Sequence, residues 1–272
     1  METLDPVETL QGSGNGAAAQ GLAACALSVH AGSRELLREL SVQFAPGEVV
    51  AVLGRNGSGK TLTLHTLAGL RAPACGTVSL DGTPLGALKR RALALRLGLL
   101  PQDLEEGFVT SALETVLIGR HPHLALWQWE SAADERLARD ALERVGLGEF
   151  AARRTDTLSG GEQRRVAVAA LLVQQPAIFL LDEPTNHLDP HHQLAVLGIF
   201  RELADAGGTV VTTLHDPTLA ARFADRALLL FGDGRWTLGE VGTTLTAASL
   251  SELYLAPMIE LGQDGRRVFV SA

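Results

Sequence analysis

Glu48-Val49-Val50-Ala51-Val52-Leu53 runs directly into Gly54-Arg55-Asn56-Gly57-Ser58-Gly59-Lys60-Thr61. A short apolar run rich in β-branched residues and ended by glycine reads as a fully buried strand, and the eight residues after it fit G-x-x-x-x-G-K-[ST]. Strand, glycine-rich loop and helix follow in the order that a phosphate-cradling loop needs. The glycines let backbone N–H groups turn toward phosphate oxygens, and a helix starting near Gly59 adds the positive end of its dipole. Lys60 is placed to bridge β- and γ-phosphates, and the Thr61 hydroxyl to coordinate Mg²⁺. Among 23 basic residues only Lys60 and Lys89 are lysine, so lysine here is not the chain's default cation.

Outward from this stretch, further apolar runs at Ala177 to Leu181, Thr209 to Leu214 and Ala227 to Phe231 are separated by Ala/Leu/Arg segments with helical character. Strands alternating with helices predict a parallel sheet covered on both faces. Alternation around Gly and Pro at Ala26 to His30, Leu40 to Phe44 and Gly76 to Leu80 predicts a smaller antiparallel sheet. Residues 103–158 are dominated by Ala, Leu, Glu and Arg and read as a helical subdomain. Residues 1–21, rich in Gly and Ala, read as a flexible tail, and 241–272 as a C-terminal extension of mixed signals around a central 22–240 domain.

Composition narrows the function classes. With 272 residues, 46% of them hydrophobic and 20% charged, the chain can bury a large core. A net charge of −8 disfavours a nucleic-acid partner. No apolar stretch approaches the roughly 20 residues of a membrane helix, so a membrane role would run through a partner. Cys25 and Cys75 suggest neither a disulfide framework nor a metal site, and a cytosolic location follows.

Two further segments carry chemistry. Ala177-Ile178-Phe179-Leu180-Leu181-Asp182-Glu183 is an apolar strand delivering two carboxylates to the ligand edge of a parallel sheet, Asp182 for the Mg²⁺ shell and Glu183 to polarise a water. Alone, such an ending is usually structural; beside a phosphate loop it is functional. Leu158-Ser159-Gly160-Gly161-Glu162-Gln163 opens a helix. Ser159 and Glu162 form a capping box, while the adjacent glycines exceed what a cap requires and make the helix start an anion site.

The ordered set 54–61, Gln102 in Leu100-Pro101-Gln102, 158–163, Asp182-Glu183, Leu188-Asp189 and His215 resembles the ABC ATPases over residues 22 to 235. The resemblance implies an α/β P-loop NTPase fold with a mostly parallel core sheet, an antiparallel β subdomain and a helical subdomain. It implies ATP and Mg²⁺ as ligands and a head-to-tail dimer with two sandwiched ATP molecules. Gly54, Arg55, Asn56, Gly57, Ser58, Gly59, Lys60 and Thr61 then hold ATP in one copy, while Ser159, Gly160 and Gly161 contact it from the other. Glu183 is implied as general base, His215 as γ-phosphate sensor, and Thr61, Gln102 and Asp182 as the Mg²⁺ ligands. Gln102 also links the site to the membrane subunit, and Asp189 joins the two sites. Where the family offers an aromatic ring to adenine, this chain has His30, an imidazole that stacks less strongly than tyrosine.

The size leaves no room for paired cassettes, long coiled coils or fused membrane helices, which points to the ATPase subunit of a prokaryotic importer. Val116-Leu117-Ile118-Gly119-Arg120-His121-Pro122-His123 and Asn186-His187-Leu188-Asp189-Pro190-His191-His192-Gln193 resemble importers of iron-siderophore complexes, haem and cobalamin, the FecCD type. Integral membrane permease subunits and, indirectly, a periplasmic binding protein are the implied partners. The implied place is peripheral, on the cytoplasmic side of the inner membrane. The alternative is a soluble accessory ABC ATPase of the iron–sulfur cluster assembly type.

Overall fold

The computed structural model describes residues 21–103, 110–125, 127–263 and 266–272. The tail proposed for residues 1–21 lies outside them except for Gly21, whose N–H donates to Asp81 Oδ1 at 2.7 Å. In chain order the strands are β1 Leu22–Ala31, β2 Arg34–Phe44, β3 Val49–Gly54, β4 Cys75–Leu80, β5 Thr83–Pro84, β6 Leu97–Leu100, β7 Ile178–Leu181, β8 Thr209–Thr213, β9 Arg226–Leu230, β10 Trp236–Glu240, β11 Met258–Gln263 and β12 Arg266–Ser271. The helices are α1 Lys60–Leu67, α2 Arg90–Ala94, α3 Ala112–Leu117, α4 Ala132–Arg144, α5 Gly160–Gln174, α6 Pro190–Asp205, α7 Pro217–Phe223, α8 Val241–Thr244 and α9 Ala247–Tyr254.

The core sheet has the order β10-β9-β3-β8-β7-β6. Its β9-β3-β8-β7-β6 neighbours pair in parallel and β10 adds an antiparallel edge. Alternate residues of β3 enter different clusters: Val50 and Val52 pack with the antiparallel sheet and α1, while Ala51 and Leu53 pack with α7 to α9 and Phe269. A strand buried on both faces must be apolar at every position, which is why its sequence shows no alternation. Its neighbours read equally well, and β3, β7, β8 and β9 each fall within one residue of the apolar runs that announced them.

The antiparallel sheet, β2-β1-β4-β5, is larger than its sequence pattern. β1 carries register shifts between Ala24 and Leu27 and beyond, with Ala26 at φ 47°. A bulge resets the period of two, so only fragments of these long strands look alternating. Strand β6 was hidden differently, being a four-residue Leu-Gly-Leu-Leu segment embedded in helix-like sequence. The C-terminal residues form α8, α9 and the β11–β12 hairpin, whose Phe269 is buried in the cluster that holds Ala51 and Leu53.

Helices α3 and α4 and a 3-10 turn over Ile118–His123 pack on α5. Arg120 fastens this turn, donating to Asp134 at 2.8 Å and to the Val173 carbonyl at 2.8 Å, and His123 Nε2 lies 2.8 Å from the Gln174 carbonyl. The Arg120-to-His123 segment is thus a structural fastening between α4 and the end of α5. Two hydrogen bonds from Ser131 and the Arg120 guanidinium hold the Asp134 carboxyl down to about 2. Among the described residues no helix is long and apolar enough to cross a membrane.

Candidate functional site

The order β3-β8-β7-β6 places the carboxyl ends of four neighbouring parallel strands along one edge of the sheet. The chain leaves β3 at Gly54, β8 toward His215, β7 into Asp182 and Glu183, and β6 toward Gln102. Residues that are 32 to 161 positions apart in sequence therefore meet, at the edge where parallel sheets bind ligands.

The loop after β3 turns on Gly57 and Gly59, at φ 75° and 101°, and Gly59 caps α1 in the left-handed region that glycine enters without strain. A cavity of about 450 Å³ opens over it, bordered by Asn56, Gly57, Gly59, Lys60, Thr61, Gln102, Glu183 and His215, with Ala31 and Leu36 on one wall. Arg55 and Ser58 belong to the same loop, joined by a backbone hydrogen bond from Ser58 N to Arg55 O of 3.1 Å. Lys60 is buried. Its Nζ donates to the Gly54 carbonyl at 3.0 Å and lies 3.9 Å from Glu183 Oε1. Burial pushes the Lys60 ammonium below the ordinary lysine range, against the pull of Glu183 and Asp182.

Glu183 is buried at the cavity floor with its Oε1 2.5 Å from His215 Nε2, while Asn186 donates to its Oε2. Asp182 is fully buried. Its Oδ1 accepts from Thr213 Oγ1 at 2.7 Å, and its Oδ2 is buried without a hydrogen bond among the described residues. Thr61 Oγ1 donates to Gln102 Oε1 at 3.3 Å, and both residues border the cavity. An unpaired buried carboxylate oxygen, a hydroxyl and an amide oxygen are hard oxygen donors suited to Mg²⁺. Among the described residues no group of three or more His, Cys, Asp or Glu gathers to hold a metal.

The second set of residues opens elsewhere. Ser159, Gly160, Gly161, Glu162, Arg165, His187, Leu188, Asp189 and His192 border a separate cavity of about 430 Å³. Ser159 caps α5 in a full capping box with Glu162, whose carboxyl is held down by the Ser159 backbone N–H and hydroxyl. Gly161 permits close contact, since a Cβ there would lie 2.9 Å from the His187 carbonyl. Asp189 caps α6 and pairs with His192 at 2.8 Å. Neither Lys60 nor Glu183 borders this cavity.

His30 falls outside both linings. It sits at the end of β1, with Nε2 3.6 Å from Glu35, while the adjacent Ala31 borders the phosphate-side cavity. Sequence reasoning also missed groups that support the site. Thr213 Oγ1 accepts from the Glu183 N–H at 2.8 Å, the Tyr254 hydroxyl donates to the His215 carbonyl at 3.1 Å, and Arg164 lies buried behind Asp182 and Glu183. Each comes from an element distant in sequence, and no local pattern marks it.

The family model described as ABC transporter matches residues 37–186. The hemin import ATP-binding protein HmuV of Gloeobacter violaceus is 41% identical over 221 residues, covering 79% of each chain. Its namesake from Streptomyces coelicolor is 41% identical, covering 87% of this chain and 84% of its own. Among solved structures, an inward-facing metal-chelate type ABC transporter superposes with TM-score 0.80 at 28% identity, covering 93% of this chain and 98% of the other. A dimeric ATP-binding cassette in a post-hydrolysis state with ADP and Pi gives TM-score 0.71 at 26% identity, covering 81% and 98%.

Proposed function

The chain belongs to the ABC transporter family as an ATP-hydrolysing subunit, and on that premise we propose that it powers the import of a metal chelate of the haem, iron-siderophore or cobalamin class. Two copies close head to tail over two ATP molecules, on the cytoplasmic face of integral membrane permease subunits that receive cargo from a periplasmic binding protein.

The observation that carries the dimeric mechanism is the separation of the two cavities. Lys60 and Glu183 border one, the Ser159–Gly161 helix start borders the other, and no residue lines both, which supports a reading in which a second copy brings its helix start to the nucleotide. The loop N–H groups and Lys60 bind the phosphates. Glu183, fixed between His215 and Asn186, orients and deprotonates the attacking water. His215 senses the γ-phosphate from the same carboxylate. Thr61, Gln102 and Asp182 would hold Mg²⁺, which when bound neutralises charge on the phosphate oxygens. From the partner, the backbone N–H groups and dipole of the α5 start meet the γ-phosphate, and Asp189 relays closure between the two sites. The hemin import relatives support the importer over a soluble accessory ATPase.

The test is copurification and coupling. The chain is expressed with the multi-helix membrane protein encoded beside it and extracted in detergent. The expected result is a stable complex whose ATPase rate in proteoliposomes rises with chelate-loaded binding protein. Recovery with soluble cluster-assembly proteins and no membrane partner would overturn the importer reading.

A further inference from the structure

Strands β6 and β7 pair as far as Leu100 and Leu181, and the ladder closes with Asp182 N–H donating to the Leu100 carbonyl at 2.8 Å. Beyond that point the chains diverge, one toward Gln102 and the other into Asp182 and Glu183. Their carbonyls lose the regular partners that a sheet provides. A single guanidinium serves four of them, joined at the Glu183 carbonyl by a turn hydrogen bond from Asn186 N–H at 3.1 Å. Arg164 Nη1 donates to the carbonyls of Pro101 and, at 3.2 Å, Gln102, while Nη2 donates to those of Asp182, at 2.5 Å, and Glu183, at 2.9 Å. Arg164 is 2% exposed. Burial lowers its pKa to about 10, against the pull of Asp182 and Glu183, and it is still cationic at neutral pH.

Glu183 makes this fork consequential. Its backbone lies in the left-handed region at φ 49°, strained for a residue with a side chain, and such strain persists only where neighbours hold it. Its N–H donates to Thr213 Oγ1 and its carbonyl accepts from Arg164, so the peptides on both sides of Glu183 are fixed. The carboxylate is thereby aimed at Lys60 and His215. We infer that Arg164 is a positioning residue for hydrolysis, holding the Glu183 backbone in its left-handed turn and locking it to the Gln102 loop as one unit. Because Arg164 stands on α5, whose N-cap Ser159 faces the other cavity, the same helix carries a chain's helix-start half-site and the brace of its own hydrolytic half-site.

The inference rests on Glu183 being the general base, and the experiment separates the two. Arg164→Gln removes the charge and the fork, while Arg164→Lys keeps the charge but cannot span four carbonyls. Steady-state ATPase of the full chain is measured for both, alone and combined with Glu183→Gln. A displacement of a catalytic group by about 1 Å costs up to roughly a hundredfold. The expected result is a kcat loss of about tenfold to a hundredfold in Arg164→Gln and a smaller loss in Arg164→Lys. The KM for ATP should stay within about twofold, since the phosphate loop is untouched. In the Glu183→Gln background the Arg164 substitutions should add no further loss, as expected of a residue acting through Glu183. Folded variants with unchanged kcat, or equal further losses in that background, would overturn the inference. So would failure of both single variants to fold, which would make Arg164 a stability residue. A Glu183→Gln protein that still hydrolyses ATP normally would instead overturn the general-base reading.

Discussion

The two cavities of this chain are built by opposite means. The phosphate-loop cavity gathers buried charges: Lys60 and Glu183 lie 3.9 Å apart, Asp182 sits behind them, and four strand ends supply the pieces. Its chemistry is fixed by the core, because buried charges are tolerated only when held by several partners. The helix-start cavity is lined largely by exposed residues, Ser159, Gly160, His187 and Asp189 among them. Its Asp189 and His192 side chains are partly exposed, and its contribution is the oriented N–H groups of α5. On the proposed reading one cavity binds phosphate by itself and the other acts only against a nucleotide held elsewhere, so that dimerisation is part of the reaction.

The largest expected effect follows from breaking the first cavity. Lys60→Ala removes the cation placed among the phosphates, and the loss of a buried charge contact costs about 3–5 kcal/mol, more than a hundredfold in affinity. Nucleotide titration of the purified variant reads this, and unchanged affinity would refute the assignment of the loop.

Next in size is Glu183→Gln, which should retain ATP binding while hydrolysis falls by about a hundredfold or more. The uncleaved ATP should hold two copies together, visible as a dimer in size-exclusion chromatography with ATP and Mg²⁺. Normal turnover would remove Glu183 from the role of base.

Gly161→Ala sharpens the contrast from the other side. The added methyl meets the His187 carbonyl at 2.9 Å and shifts the α5 start from the 187–189 loop. ATP binding to the monomer should be unchanged, while ATP-driven dimerisation weakens by about tenfold, a loss of roughly 1.4 kcal/mol. Equal losses in monomer binding would mean that the two cavities are not independent.

The smallest effect is expected at His30. Facing Glu35 rather than the cavity, it should be replaceable by tyrosine with ATP affinity unchanged or tightened by less than about fivefold, under 1 kcal/mol. Fluorescent-nucleotide titration tests it, and a large loss would reveal a polar contact between His30 and the nucleotide.

The reach of the sequence differed between regions for a physical reason. The strands β3, β7, β8 and β9 were legible because burial on both faces forces an unbroken apolar run, and the phosphate loop because its glycines, lysine and threonine are contiguous. The long antiparallel strands were only partly legible, since the bulge at Ala26 breaks their period. The Arg120 segment read as a subfamily mark, and in three dimensions it is also the brace between α4 and α5.

By itself, then, the sequence determined the fold class and most of the residues that line the two cavities, because motifs within a single loop or strand leave local patterns. Tertiary structure alone decided that Ser159–Gly161 open away from Lys60, and that Thr213 and Arg164 hold the backbone of Glu183. It also decided that Tyr254, from the C-terminal residues, supports the His215 carbonyl. Arg164 reaches carbonyls 18 to 63 residues away, and Tyr254 one 39 residues away. A side chain that satisfies distant backbone groups has no periodicity or spacing to announce it, and only the packed chain shows which carbonyls it must serve.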